Sequence, residues 1–184
     1  MKKWLIIGLF SILAVLQIVV PLSMILKRES VIALGAEFKF KTAPVDPYDA
    51  FRGRYVSLRM EQGKVAIPSG LGLKYGQKVY AAIIVDAQGF AMISAVTINK
   101  PAGLPYMVAK VRYIFKNEVQ LDLPIDRYYM EEKAAPAAEK LYQKHSRRDK
   151  KDAFVTVKIK DGFAIVTGLY VGGEKIEEAI KKDS

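Results

Sequence analysis

The sequence predicts an α+β protein, with an N-terminal transmembrane helix followed by one β-rich, mostly antiparallel domain. Three observations predict this class: a single long apolar run at the start, many short strand patterns separated by turn residues, and one main amphipathic helical pattern. A length of 184 residues fits one domain with an appendage. With no Cys and one His, the chain lacks disulfides, thiolate metal sites and multi-histidine motifs. We therefore expect no metal and no cofactor.

The first element is an uncharged run from Trp4 to Leu26. As a helix it would span about 35 Å, enough for a hydrocarbon core of about 30 Å. Two lysines precede it, and Lys27, Arg28 and Glu29 follow it, a mild asymmetry that favours the N-terminus inside the cell. A cleaved signal peptide and a buried soluble helix are the alternatives.

This run sets the expected organisation of the chain. We predict a cytoplasmic stub, a transmembrane anchor, a juxtamembrane linker and an exported domain, at residues 1–3, 4–26, 27–36 and 37–184. Without the flanking charges of the anchor, the remaining chain carries 25 basic and 18 acidic residues, so the exported domain is moderately basic.

Most elements of the exported domain are predicted to be strands. Alternating or β-branched apolar patterns occur at residues 37–41, 55–60, 65–67, 78–85, 90–98, 107–115, 118–123, 154–159 and 163–171. Turn residues predict hairpins across 61–64, 86–89, 116–117 and 160–162. Pro and Gly predict loops at 42–54 and 68–77. Sequential hairpins of this kind predict antiparallel sheets.

Two of the predicted hairpins resemble each other. Residues 89–96 (GFAMISAV) align with residues 162–169 (GFAIVTGL), and the first three residues are identical. One interpretation is a duplicated hairpin with two equivalent places in the fold, and the other is chance similarity between two amphipathic strands. Two copies at this spacing do not indicate a solenoid.

One main amphipathic helix is predicted from Ala135 to about Arg148. Pro136 suits its first turn, and Leu141 and Tyr142 belong to its apolar stripe. His145 lies beside this stripe, so we expect it to pack on the domain rather than to act as a base. A second, short helix is predicted near the end of the chain, where Glu177 and Glu178 stand four residues before Lys181 and Lys182.

Basic residues gather at the end of the main helix. This basic helix patch consists of Lys140, Lys144, Arg147, Arg148, Lys150 and Lys151. A solvated helix end that complements the helix dipole is one interpretation, and contact with a protein partner or with anionic lipid is the other. We expect no nucleic-acid binding, because no stacking aromatic residues are interleaved with the cations.

The densest motif is PVDPYDAFRGRYVSLRM, residues 44–60. Its acidic residues could hold a cation, but Asp beside Pro is also an ordinary turn former. Arg52 and Arg54 could pair with Asp46 and Asp49. From Tyr55 onward the alternation predicts a half-buried strand, with Val56 and Leu58 on its aliphatic face.

This segment resembles the signature D-P-Y-D-x-F-R-G-D-Y-V-x-L-x-Y of the GDYxxLxY family, bacterial membrane-anchored proteins of uncharacterised function. The matching residues are Asp46, Pro47, Tyr48, Asp49, Phe51, Arg52, Gly53, Tyr55, Val56 and Leu58. Arg54 replaces the acidic residue of the signature, and Met60 replaces its final Tyr. A second element, RYYMEE, resembles the family's R-Y-F-V-x-E and begins with Arg127, Tyr128 and Tyr129.

The resemblance implies a domain tethered to the bacterial cytoplasmic (inner) membrane, which lies in the periplasm or the extracellular space. Such a protein is often encoded beside an integral membrane protein, and the resemblance supplies no reaction. The favoured hypothesis is therefore a non-catalytic accessory or interaction domain that binds an integral membrane protein. One alternative is an envelope ligand-binding domain whose motif tyrosines line a cleft. The other is a Ser–Lys hydrolase similar to signal peptidases, which is disfavoured because no Ser-x-x-Pro precedes Gly53. We treat the motif residues and the basic helix patch as candidate binding residues, with no catalytic set.

Overall fold

A computed structural model of the protein describes residues 2–43, 55–61, 64–67, 71–147 and 150–183. Its helices are α1 (Lys2–Leu34), α2 (Ala135–Ser146) and α3 (Ile176–Asp183). Its strands are β1 (Ala36–Ala43), β2 (Tyr55–Ser57), β3 (Arg59–Met60), β4 (Lys64–Ala66), β5 (Lys78–Val85), β6 (Ala91–Thr97), β7 (Tyr106–Phe115), β8 (Glu118–Asp122), β9 (Arg127–Tyr129), β10 (Phe154–Lys160), β11 (Phe163–Val171) and β12 (Glu174–Lys175). An N-terminal apolar helix followed by a mostly antiparallel β-rich domain confirms the predicted α+β class.

Helix α1 continues without a break for 33 residues, about 50 Å. Its part from Ile6 to Leu34 is long and apolar enough to cross a membrane, and its most apolar stretch is not covered by the domain. A signal sequence would meet the same test. The segment 27–36, predicted to be a linker, is helical as far as Leu34.

Two five-stranded sheets form the body of the domain. The first has the order β12-β11-β10-β1-β3, the second has the order β4-β8-β7-β5-β6, and β2 pairs with β9 in a small separate sheet. The two large sheets touch where Met107 bridges Gly162, and there the Val108 N–H donates to the Gly162 carbonyl at 2.9 Å. Apolar side chains of the two large sheets, of the β2–β9 sheet and of helices α2 and α3 form one core cluster.

Three of the four predicted hairpins are confirmed, namely β5–β6, β7–β8 and β10–β11. The hairpin predicted across residues 61–64 is wrong, because β3 pairs with β1 and β4 pairs with β8. Met60 and Val65 are both buried, but their strands belong to different sheets. The packing of these two side chains in different sheets therefore outweighs the tendency of residues 61–64 to form a hairpin turn.

The two similar hairpins carry the same irregularity. In β6, Ser94 is the extra residue of a bulge, and in β11 the extra residue is Thr167, its partner in the sequence alignment. Each hydroxyl donates to a carbonyl of the neighbouring strand at 3.3 Å, Ser94 to Ala82 and Thr167 to Thr156. A shared bulge with a shared hydrogen bond supports the duplicated-hairpin interpretation.

The last turns of α1 pack on the β10–β11 hairpin, in a contact that we call the helix–hairpin joint (residues 27–35, 158–160 and 163). Val31 is only 1% exposed there, so this part of the helix contributes to the buried interior. The Lys158 ammonium donates to the carbonyl of Ile32, one of the last carbonyls of the helix. Cations at this end also suit the helix dipole, so the contact is both apolar and electrostatic.

The joint continues along both elements. The Lys160 ammonium donates to the Ser30 hydroxyl at 2.6 Å, and the Lys27 ammonium lies 4.7 Å from the centre of the Phe163 ring. At the other end, Gly35 closes the helix, and a Cβ on it would lie 2.4 Å from the Val31 carbonyl. The chain therefore passes directly from α1 into β1, which is paired with β10.

The Asp161-Gly162 turn gives a direct test of the contact between the two sheets. Gly162 has a φ of +78°, and a Cβ on it would lie 2.6 Å from the Tyr106 ring. Gly89 has a similar φ of +83° with nothing within 4 Å. Left-handed backbone costs a non-glycine residue about 1–2 kcal/mol, so Gly89→Ala should lose about that much stability. Gly162→Ala should lose more, because the new methyl group also clashes.

Thermal unfolding of the full chain in detergent, followed by circular dichroism, compares the two variants. We expect a lower melting temperature for Gly162→Ala than for Gly89→Ala. Equal losses would show that the contact between the sheets at Gly162 adds nothing to stability.

Candidate functional site

The structure brings the two family-like elements of the sequence together. Strand β2 lies within the first element and pairs with β9, which begins the second, although β3 to β8 lie between them in the chain. Tyr55 stands opposite Tyr129, Val56 opposite Tyr128 and Ser57 opposite Arg127. The N–H of Leu58 then donates to the Asp126 carbonyl at 2.8 Å and continues the ladder. The remaining predicted motif residues lie outside the described residues: Asp46, Pro47, Tyr48, Asp49, Phe51, Arg52, Gly53 and Arg54.

The outer face of this small sheet carries an aromatic–arginine cluster, formed by Tyr55, Arg127 and Tyr129. The two tyrosine rings are 5.6 Å apart, centre to centre, and the Arg127 guanidinium lies 5.1 Å from the centre of the Tyr55 ring. A hydrogen bond with the Tyr129 side chain, followed by the nearby Asp126 carboxylate, raises the pKa of Arg127. The cluster is thus a cation that lies over one tyrosine ring and hydrogen-bonds the side chain of the other, Tyr129, which is 60% exposed to solvent.

The inner face of the same sheet is structural. Val56 and Tyr128 are buried, and the Tyr128 hydroxyl donates to the carboxylate of Glu177 on α3. Burial, with the Glu177 hydrogen bond second, raises the pKa of Tyr128. The other carboxylate oxygen, Oε2, is buried and has no hydrogen-bond partner among the described residues. The four-residue spacing in the sequence predicted an ion pair between Glu177 and Lys181. The hydrogen bond between Glu177 and Tyr128 was not predicted.

A cleft of about 640 Å³ lies beside the cluster, between the edge of the first sheet and strands β7 and β8. Leu58 and Met60 of the first motif line it, and its charged side chains balance: Arg59, Arg112, Asp122 and Asp126. Tyr113 lines the cleft, whereas the motif tyrosines of β2 and β9 do not. Among the described residues, the cleft therefore lacks the lining of motif tyrosines predicted for an envelope ligand-binding domain.

The basic helix patch is exposed over its described members, and Arg148 lies outside the described residues. Lys140, Lys144, Arg147 and Lys150 face solvent, while Lys151 forms a surface ion pair with Glu61 at 3.4 Å. Beside the patch, His145 Nδ1 lies 2.8 Å from Asp152 Oδ1, and the His145 side chain is half-buried. His145 also lies against Gly172, just beyond the end of β11. The patch is therefore at the end of β11 opposite Phe163, and the nine residues of that strand cover about 26 Å.

A Ser–Lys pair exists in the helix–hairpin joint, where Lys160 binds the Ser30 hydroxyl. Neither residue lines the cleft described above. A hydrolase needs its nucleophile open to substrate and activated by a base, but Ser30 lies on a helix packed against β10. The neighbouring Lys158 also binds the end of α1. The hydrogen bond between Lys160 and Ser30 is therefore explained by its structural role in the joint. In the described residues, no three His, Cys, Asp or Glu side chains group to hold a metal ion.

Comparison with known proteins gives one match. The sequence model of the GDYXXLXY protein family matches residues 17–169. No curated protein and no solved structure matches the chain. The matched range includes part of α1, both motif elements, and most of the two large sheets.

The Tyr128–Glu177 contact makes a testable prediction about stability. Tyr128→Phe removes the hydroxyl that binds a partly buried carboxylate, and hydrogen bonds to charged groups contribute about 1.5–3 kcal/mol. We expect a loss of that order in the free energy of unfolding. Tyr129 is the next residue and lies on the exposed face of the sheet. Tyr129→Phe should therefore lower the free energy of unfolding by less than about 0.5 kcal/mol. Chemical unfolding of the full chain in detergent measures both, and equal losses would contradict the account.

The same contact predicts a dependence on alkaline pH. Because the folded pKa of Tyr128 is raised above its ordinary value near 10, its contribution is complete below pH 10 and is lost as the pH rises beyond it. Wild-type stability should therefore fall above pH 10, and it should fall less steeply in Tyr128→Phe. Burial also raises the pKa of Tyr142, and a hydrogen bond with Tyr106 raises that of Lys100. Both groups stay in both proteins and contribute to the residual slope.

Proposed function

Because the chain belongs to the GDYXXLXY family, whose two recognisable elements meet in the β2–β9 sheet, we propose that it is a membrane-tethered, non-catalytic interaction domain. Its binding surface is the aromatic–arginine cluster, and its partner is the exported part of an integral membrane protein. One observation supports this proposal above all. The sheet has a buried, structural face and an outer face that carries two tyrosines and one arginine.

The chemistry of the outer face suits protein recognition. Tyr and Arg are the residue types enriched at the energetic centres of protein interfaces. The Arg127 side chain is already ordered by Tyr55 and Tyr129, so binding would freeze few additional rotamers. An exposed, pre-ordered cluster built from the family's own elements supports the docking role.

The helix–hairpin joint supports an uncleaved anchor. A signal peptide is removed from the mature protein, and cleavage within residues 27–36 would remove or free the turn that carries Val31. That side chain fills space against β10 and β11, so its loss would expose apolar surface. The two N-terminal lysines favour a cytoplasmic N-terminus, which supports a domain outside the cytoplasmic membrane.

Site-specific photo-crosslinking in the source membranes tests the binding surface. Tyr129 and Tyr113 are matched positions, since they are 60% and 59% exposed, but Tyr113 is on β7 beside the cleft. With benzoylphenylalanine at either position and the anchor intact, we expect a discrete protein adduct from position 129 and none from position 113. Arg127→Ala should reduce the adduct at position 129 at least tenfold.

Two outcomes would contradict this proposal. No adduct from either position would remove the docking role of the cluster. An adduct from position 113 alone would transfer the binding role to the cleft and favour an envelope ligand-binding domain.

Labelling of single cysteines tests the sidedness. The natural chain has no Cys, so Lys150→Cys and Lys3→Cys each introduce a single thiol. In spheroplasts treated with a membrane-impermeant maleimide, position 150 should react and position 3 should react only after lysis. The reverse pattern would place the domain in the cytoplasm.

A further inference from the structure

We propose that the domain rests on anionic lipid headgroups through a headgroup-facing surface at the turn of the β10–β11 hairpin. This surface consists of Lys27, Arg28, Lys100, Leu104 and Phe163. It is separate from the aromatic–arginine cluster and rests only on the tethered topology of the proposed function.

The orientation follows from the order of contacts in the helix–hairpin joint. Ile32 meets Lys158, Ser30 meets Lys160, and Lys27 meets Phe163. Moving down α1 toward its apolar run therefore means moving along β10 toward the turn and onto the start of β11. The Asp161-Gly162 turn must point toward the membrane that holds the apolar run.

The sequence and burial of α1 also define where along this helix the bilayer surface lies. The uncharged run ends at Leu26, and Val31 is already buried against the domain. The boundary between lipid and domain consequently lies near Lys27 and Arg28, both of which are exposed. Phe163 lies under the Lys27 ammonium at this level and is 42% exposed.

A second segment reaches the same end of the domain. Gly162 bridges Met107, and the position of its missing side chain is filled by the Tyr106 ring. The Lys100 ammonium lies 5.4 Å from the centre of that ring. The loop between β6 and β7 thus stands beside the turn, and it carries Leu104, which is 48% exposed.

The resulting surface has the composition of a membrane interface. Exposed aliphatic and aromatic side chains can enter the headgroup region, while Lys and Arg beside them attract anionic lipid. Glu29 and Asp161 oppose this charge, and Lys160 is occupied by Ser30. Lys27, Arg28 and Lys100 leave an excess of one positive charge over these two acidic groups even without Lys160.

The basic helix patch is a poorer candidate for lipid contact. It lies at the opposite end of β11, about 26 Å along the strand from Phe163. That separation exceeds a Debye length of about 10 Å at 0.1 M salt. Attraction between the patch and a bilayer at the hairpin turn would be screened, so the strongest basic run of the sequence is not the lipid contact.

Depth-dependent quenching in nanodiscs tests the proposal with the full chain. Leu104→Cys and Lys150→Cys each give a single thiol for an environment-sensitive nitrobenzoxadiazole label, and lipids that carry a spin label at the headgroup act as quencher. In discs with 30% phosphatidylglycerol, we expect at least threefold stronger quenching at position 104 than at position 150. In discs of phosphatidylcholine alone, quenching at position 104 should fall at least twofold.

Charge reversal identifies the cation responsible. Lys100→Glu should reduce quenching at position 104 in anionic discs at least twofold, whereas Lys144→Glu, in the basic helix patch, should leave it unchanged. Equal quenching at positions 104 and 150, no dependence on anionic lipid, or equal effects of the two reversals would each overturn the proposal. Lys100→Glu should keep the Tyr129 crosslink intact, so the lipid contact and the partner contact fail independently.

Discussion

The packing of the last turns of α1 on the β10–β11 hairpin is the constraint on which the rest of the structure depends. Val31 is buried there, and two lysines of one strand bind the end of the helix. Since β1 begins directly after Gly35 and pairs with β10, the first sheet is built onto the helix without a flexible link. A domain joined in this way has one orientation relative to its apolar helix, which gives each of its surfaces a defined position.

The two motif elements occupy both faces of one small sheet. Val56, Leu58 and Tyr128 are buried and hold β2 and β9 to the core and to α3. Tyr55, Arg127 and Tyr129 occupy the outer positions of the same strands. Alternation along a strand places buried, structural side chains and exposed side chains at neighbouring residues. The same short motif can therefore carry both its role in folding and the binding role proposed for it.

Local signals in the sequence predicted the local structure well. Asp161, Gly162 and Lys116 adopt left-handed backbone conformations, and each of the two turns that contain them joins the two strands that flank it. Pro136 lies in the first turn of α2, as its missing N–H suggested, although the helix ends at Ser146 rather than near Arg148. The similar residues 89–96 and 162–169 include the two strands with matching bulges, but the bulges themselves were not predicted.

Contacts between distant parts of the chain could not be predicted in the same way. Nothing near Tyr55 specifies Tyr129 as its cross-strand partner, and nothing near Glu177 specifies Tyr128, because these pairings arise when the whole core closes. The charges at Lys27 to Glu29 suggested a linker, yet the helix continues to Leu34 because lysines of β10 bind its end. The basic helix patch drew attention by its density, but the fold puts it far from the hairpin turn.

The distance between the helix and the domain tests the rigid joint most directly. Spin labels on Leu26→Cys in α1 and Lys110→Cys in β7 of the full chain, in nanodiscs, would give a distance distribution by double electron–electron resonance. A rigid joint predicts one narrow distribution, which broadens when Lys158 and Lys160 are both replaced by Ala. A distribution in the otherwise native chain as broad as that of the double-alanine variant would contradict it.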